Sequence, residues 1–377
     1  MRHFLLTPIA ILLVFSCSQN EEQSSQEQTN YRIVFEDTVR IDSKGEFLFV
    51  NNALSTSDYL PSTDKLYNFN LKNYSIEVLD IENEEFVARH PFENDGPNAV
   101  GRFITGFQVL SEDEIHIFDI NFFAKYNLNG ERISKLDLEE ILYFSGDTLQ
   151  VNERVMPKGG FYNDQFITTS TKDFIYQGVL FLNFDKQVIR KELTPEFDKA
   201  SELRFMLQLD DSRIPQGPAF RMNVLNDMAI LSCDSYNEVI IYNLLNDTRT
   251  HRKFVSSKMP NEKVPKHGNS VIEISSEDLS ALALLNDQIT FGQFYFDDVN
   301  KLFYRISHMS NGLEGDQKKR RSFLSIFDQD LNHLQDIGDL PDDFPMEFLF
   351  IRNGKMYSFL NENDEIALNV MSVVTEL

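Results

Sequence analysis

Two cysteines, Cys17 and Cys233, are all that the 377 residues contain, and tryptophan is absent. Two thiols cannot build a disulfide framework, nor the clustered thiolates of a structural zinc site. Histidine is thin as well. His3, His90, His116, His251, His267, His308 and His333 form no HxH or HExxH pair, so they read as surface or satisfied core side chains. A Gly-x-Ser-x-Gly elbow, a Walker loop and a dinucleotide glycine motif are all missing, which removes the common nucleophile and phosphate templates. Basic residues are outnumbered, with 35 Lys and Arg against 59 Asp and Glu and a formal charge of −24. Such a chain is repelled by nucleic-acid phosphates, and nucleic-acid partners are set aside.

The start of the chain is the most specific stretch. Met1-Arg2-His3 is short and basic, and Phe4–Phe15 is apolar but shorter than the ~20 residues a spanning helix needs. The run ends in Val14-Phe15-Ser16-Cys17, which resembles the lipobox of bacterial lipoproteins. That resemblance implies a signal peptide over residues 1–16, a lipidated (palmitate-bearing) Cys17 and attachment to a membrane. Ser18 rather than Asp after the cysteine implies an outer-membrane lipoprotein, facing the periplasm or the cell surface. Residues 17–30 beyond the cysteine are wholly polar and are expected to be a disordered tether. Cys233, within Ala229-Ile230-Leu231-Ser232-Cys233, is then an unpartnered thiol expected in the core.

Phenylalanine is abundant, at 33 residues, and aromatic residues suit pleated, half-buried surfaces. Residues 31–377 read as one all-β domain. A hairpin recurs in which an apolar strand meets an Asn/Asp-rich turn and a second strand follows. It occurs at 74–92, 123–138, 179–193, 239–254, 323–337 and 356–370. Residues 96–138 form a complete four-stranded unit, the size of one β-propeller blade, with Asn129-Gly130 as its outer turn. Inner strand pairs are expected at Phe161–Ile167, Arg221–Leu231 and Phe291–Ile306, and a further strand at Glu46–Val50. The expected architecture is a β-propeller of six four-stranded blades with short helical or loop insertions. Its ring would be closed by pairing Tyr31–Ile41 with Asn369–Val374. Residues 195–220 and 256–287 are the insertions, possessing the form of lids over one end; Ser275, Asp278 and Leu279/Leu282/Leu285 mark a short helix in the second.

Candidate chemistry is sparse. Arg102, Arg221 and Arg305 each lie in or beside an inner strand pair, where guanidinium groups at a channel mouth can clamp a carboxylate. Asp328-Gln329-Asp330-Leu331-Asn332 alternates carboxylates as a calcium loop does. It lacks the glycine and the final Glu of that loop, so a hairpin turn is the preferred reading. Lys318-Lys319-Arg320-Arg321 is the one dense basic run and reads as a solvated loop tip.

Taken together, Ser16-Cys17-Ser18, Phe92-Glu93 with Gly96-Pro97-Asn98, and Ile117-Phe118-Asp119 resemble uncharacterised lipoproteins of Bacteroidetes-type bacteria. Phe291-Gly292 with Phe294–Asp297, Tyr304-Arg305-Ile306 and Ser325–Asp328 extend the resemblance. It implies a six-bladed, propeller-like domain of unknown function and supplies no catalytic residues. The expected function is therefore a lipid-anchored envelope binding or scaffold protein, without catalysis or cofactor, engaging a protein, peptide or glycan through the loops. The alternative is a calcium-dependent propeller hydrolase or lactonase with its site in the central channel, which needs carboxylate and amide oxygens from several blades.

Overall fold

The computed structural model describes residues 29–50, 54–266, 268–274, 287–314, 317–341, 344, 348–363 and 365–376. The leader, Cys17, most of the tether, the helix expected after Ser275, and His3 and His267 lie outside them. Among the described residues the fold is all-β and propeller-like: six largely antiparallel sheets of four or more strands follow one another, with one three-stranded sheet between.

Sheet 1 runs Ser57–Leu60, Lys65–Asn70, Ser75–Asp80, Glu85–Pro91. Sheet 2 is Ile104–Ser111, Glu114–Asp119, Phe122–Tyr126, Arg132–Asp137, the four strands expected within residues 96–138. Its outer turn depends on glycine. Gly130 has φ +80°, and a Cβ there would fall 2.8 Å from the Pro91 carbonyl oxygen. Asn127 braces the turn, its Oδ1 accepting from the Asn129 and Glu131 amides. Sheet 3 pairs Gly160–Tyr162 and Glu153–Val155 with Gln165–Lys172, continues through Ile175–Asn183 and Val188–Glu192, and ends on Ser145–Gly146 in parallel. Sheet 4 is Phe220–Leu225, Met228–Cys233, Glu238–Asn243, Thr248–Lys253, and sheet 5 is Thr290–Asp297, Leu302–Glu314, Gln317–Asp328, His333–Leu340. Sheet 6 takes Leu349–Arg352, Lys355–Glu362 and Glu365–Glu376, and is completed by Asn30–Arg40 from the other end of the chain. That closing strand runs antiparallel to the last, Ile33 opposite Val373 and Thr38 opposite Asn369, as the sequence suggested.

Strands apolar on both faces have partners on both sides. In sheet 4, Ala229, Leu231 and Ile240 pack against Ile167, Val179 and Phe181 of sheet 3. The alternate residues Ile230, Val239 and Ile241 pack against Phe294, Phe303 and Phe327 of sheet 5. The same two-sided burial joins sheets 1 and 2, 2 and 3, and 5 and 6. A last cluster joins sheet 6 to sheet 1 through Val39, Leu66, Leu79, Phe350 and Leu368. Cys233 lies in the sheet 3/4 cluster, and burial raises its thiol's pKa, which keeps it protonated and unreactive.

Three expectations are corrected. Residues 46–50 form no strand: Phe49 donates its amide to buried Glu77 and its carbonyl accepts from Asn68, so side chains replace the ladder. The run at 318–321 is not a loop tip but part of the strand Gln317–Asp328, with Arg320 opposite Ser310 and Arg321 opposite Met309. The insertions are more than lids. Phe205–Leu209 pairs antiparallel with Ser212–Gln216 and parallel with Val271–Ile274, joining the two insertions in a sheet of their own.

The closing ladder supplies the first prediction. Thr38 and Asn369 are directly opposed with their side chains on one face, their oxygens 3.5 Å apart. Paired positions in an antiparallel ladder lie within disulfide reach. The double variant Thr38→Cys/Asn369→Cys is expected to oxidise to an intramolecular crosslink and gain about 3–5 kcal/mol against urea, lost on reduction. Failure to crosslink in the folded protein contradicts the closing register.

Candidate functional site

The first strands of the sheets contact one another in turn. Asp58 on sheet 1 accepts the Val109 amide of sheet 2 at 2.7 Å. A Cβ on Gly106 of sheet 2 would lie 3.1 Å from the carbonyl oxygen of Pro157, between the sheet 3 strands Glu153–Val155 and Gly160–Tyr162. Arg221 on sheet 4 donates through Nη1 to the Phe291 carbonyl of sheet 5 at 2.8 Å. Between sheets 6 and 1, Arg352 grips Asp64 with Nε at 2.7 Å and Nη2 at 2.6 Å, and Tyr59 stacks on Phe350 at 4.3 Å. Burial pushes the Asp58 carboxyl up to about 7, against the pull of the Val109 and Tyr59 amides.

At the start of the inner strands of sheets 4 and 5 lies a cavity of about 410 Å³, a volume within the range of small-ligand sites. The first insertion supplies Phe205, Gln216 and Pro218, and the second supplies Lys263 and Lys266. Sheet 5 supplies His308 and Arg320, and Asp234 and Gln288 come from the segments just after Met228–Cys233 and just before Thr290–Asp297. The second insertion is clipped in place by backbone bonds. Lys263 donates its amide to the Ser235 carbonyl, and Gln288 bonds the amide and carbonyl of Val264. The pairing of Asn269 with Arg204 and of Met206 with Ser270 ties one insertion to the other. Lys263 reaches Asp234 at 3.3 Å, and Lys266 contacts both oxygens of Asp287 at 2.9 and 2.8 Å. The lining is largely polar and carries Lys263, Lys266 and Arg320, in a chain whose overall charge is −24. Charges of both signs therefore line the cavity, with Lys263 paired with Asp234 and Lys266 with Asp287.

The three arginines singled out from sequence are placed differently from one another. Arg102 is exposed, in the bend before Ile104–Ser111. Arg221 is half-buried on the inner strand of sheet 4. Arg305 is completely buried between sheets 4 and 5 and faces four rings: Phe291 at 4.9 Å, Phe294 at 5.0 Å, Phe327 at 5.6 Å and Phe254 at 5.7 Å. Its Nη2 donates to Asn237, while Nε and Nη1 have no protein partner. Burial pulls its pKa down to about 9, opposed by the Asp336 carboxylate. Arg221 and Arg305 thus meet the same residue, one at the Phe291 carbonyl and the other at its ring. Sequence reasoning missed Lys263, Lys266 and Gln288, because nothing local marks residues that converge only through the pairing of two insertions.

The remaining candidates are structural where they are described. His116 is buried, bonded to Glu114 at 2.8 Å and edge-on to Phe161; burial pushes its pKa down to about 4, so it is neutral. Asp328 closes a hairpin turn, its Oδ1 accepting the Asp330 and Asn332 amides. Among the described residues, no group of three His, Cys, Asp or Glu side chains is arranged to hold a metal ion, and no helix is long and apolar enough to cross a membrane.

Residues 30–337 match the family described as a domain of unknown function, DUF4221. The chain belongs to that family. A crystal structure of a DUF4221 member from Bacteroides vulgatus aligns with a TM-score of 0.67 at 14% identity, over 93% of this chain and all of that one. A protein of Bacteroides fragilis aligns at 0.48 with 11% identity, over 92% of this chain and 96% of its own. The calcium-binding protein regucalcin from Agrobacterium tumefaciens aligns at 0.42 with 10% identity, over 85% and 90%. No curated protein matches this chain in sequence. The family is described as one of unknown function and its solved member shares the fold at 14% identity, so the role of this member has to be argued from its own residues.

Arg305 yields a test in this DUF4221 chain. A buried cation with two unpaired donors is balanced by aromatic faces rather than by a paired carboxylate. Arg305→Met fills the same space without a charge and is expected to remain within about 1–2 kcal/mol of the parent. Arg305→Ala leaves a cavity among the four rings and is expected to lose about 3 kcal/mol or more. Urea denaturation followed by tyrosine fluorescence reads both; equal losses would show that the charge itself, not the packing, holds the site.

Proposed function

We propose that this DUF4221 protein is a non-catalytic binding module of the cell envelope that takes an anionic, polar ligand, an acidic glycan in first place, in the cavity built by its two insertions. The observation that carries this reading is the insertion sheet. Two segments some sixty residues apart pair with each other and bring Lys263 and Lys266 over Asp234, Gln288 and His308. Ligand sites commonly lie on loops held by a rigid scaffold, and here the loops are themselves sheet-bonded, which reduces the ordering cost of binding. The cyclic order of the apolar clusters, with sheet 6 packed back onto sheet 1, supports a six-bladed ring beneath that cavity.

We also propose that the module is a lipoprotein, anchored through Cys17 and spaced from the outer membrane by the polar residues that follow. Acyl chains bind membranes at ~0.8 kcal/mol per buried methylene. In cells of a lipoprotein-processing bacterium, Cys17→Ser is expected to move the protein from the membrane pellet to the soluble fraction. Retention in the pellet would exclude the anchor.

For the ligand, titration calorimetry against acidic and neutral oligosaccharides is the direct measurement. Acidic ones are expected to bind, and Lys263→Glu to weaken them about tenfold or more, the loss of roughly one charge-assisted contact. Equal affinity for neutral oligosaccharides, or no effect of Lys263→Glu, would remove the cavity from the reading.

A further inference from the structure

The first insertion borders a second, smaller recess of about 200 Å³. Leu203 and Phe205 line the cavity described above, Arg204 between them lines the recess, and Pro218 lines both. The two hollows thus share one wall, and it is thin: a Cβ on Gly217, which faces the cavity, would lie 3.1 Å from the Arg204 Cγ. The recess itself is floored by aromatic rings. Tyr176 and Phe220 stack at 3.9 Å with their planes 13° apart, and Phe197 meets Phe220 edge-on at 5.5 Å. The Tyr176 hydroxyl is held 2.7 Å from the Thr194 Oγ1, which fixes that ring at its polar end. Polar groups stand beside the rings. Asp198 and Ser201 of the short 3-10 helix Pro195–Leu203 are exposed, and the Arg204 guanidinium follows them.

One further side chain of the lining is held there against local preference. Lys172 is paired with Ile175, so Asp173 and Phe174 form a two-residue hairpin turn, with φ +51° and +61°. Asn-Gly is the usual occupant of such a turn, and a bulky aromatic residue in its second position is strained. Burial does not offset the strain, because Phe174 is 71% exposed. Arg204 braces the turn by donating through Nη2 to the Asp173 carbonyl at 3.1 Å. An exposed ring thus stands at the recess at the expense of both backbone and solvation, the mark of a residue kept for contact rather than for packing.

We propose that this recess is a subsite for an uncharged pyranose ring, the sugar adjoining the one held in the cavity. A pyranose carries C–H bonds on a face and hydroxyls around its edge. Its C–H bonds meet the negative face of the Phe174 ring, and its hydroxyls donate to the Asp198 carboxylate and accept from the Arg204 guanidinium. A purely apolar group, such as a phenyl ring or an acyl chain, would strip water from Asp198 and Arg204 without replacing their hydrogen bonds. This rests on the glycan reading above, and on none of the cavity's lysines.

The test is saturation-transfer NMR on the full chain, with the aromatic protons irradiated and methyl β-glucopyranoside, methyl β-galactopyranoside or benzyl alcohol as probe. At least one glycoside is expected to receive saturation, more strongly on its ring protons than on its methyl group. Phe174→Ala is expected to weaken its binding about tenfold or more, and Phe174→Tyr, which keeps the ring, to preserve it. Phe174→Asn should lose binding equally while raising the midpoint of thermal unfolding, because Asn tolerates left-handed backbone. Lys263→Gln, in the cavity, should leave the glycoside signal intact, so that failure of the cavity reading and failure of this subsite are told apart. The proposal is overturned if neither glycoside receives saturation, if benzyl alcohol alone shows a Phe174-dependent signal, or if a folded Phe174→Ala binds as the parent does. Loss of the signal in Lys263→Gln, or a Phe174→Asn variant that melts below the parent, overturns it as well.

Discussion

A sheet whose two faces are both apolar cannot stand alone in water, and each main sheet of this protein is built that way. Ile230 and Leu231 are adjacent in sequence, point to opposite faces and are both sealed, one against sheet 5 and the other against sheet 3. Everything else is a consequence of that two-sided demand. Each sheet needs a neighbour on both sides, a cluster of apolar side chains packs sheet 6 against sheet 1, and sheet 6 takes the strand Asn30–Arg40. At about 25 cal/mol per Å² of apolar surface, these contacts dominate the stability, and the polar networks tune it.

The polar groups at the seams show how the demand is met without stranding charges. Glu77 is fully buried but accepts from Asn68, Asn70, Arg89 and the Phe49 amide, which is why residues 46–50 can run along sheet 1 without joining it. Arg352 and Asp64 form a bidentate pair across the closing seam. Arg305 follows the opposite strategy and faces rings.

Much of this architecture was legible because its determinants are local. The Asn129-Gly130 turn, the inner pair Arg221–Leu231 and the alternating strands beside them announce hairpins within a few residues, and the hairpins appeared where expected. The closing strand was legible for a related reason: an unpaired apolar strand at each end of a propeller-like series has one natural partner. The pairing of Phe205–Leu209 with Val271–Ile274 carries no such mark, and the cavity exists only through it. The burial of Arg305 was equally silent, because Tyr304-Arg305-Ile306 does not reveal that Phe254, forty residues and more upstream, closes over the guanidinium. Local chemistry writes the blades; the sites come from convergence.

Sheet 6 also has a temporal side. Asn30–Arg40 pairs with Glu365–Glu376, with Thr38 and Asn369 331 residues apart, so the strand that completes sheet 6 stays unpartnered until that later strand has been made. Closure of so long a loop makes the final pairing a slow, non-local event, and until it happens the seam between sheets 6 and 1 lies open to other strands. A chain of this design is most exposed to misassembly just before that pairing, and its high negative charge keeps neighbouring copies apart during that interval.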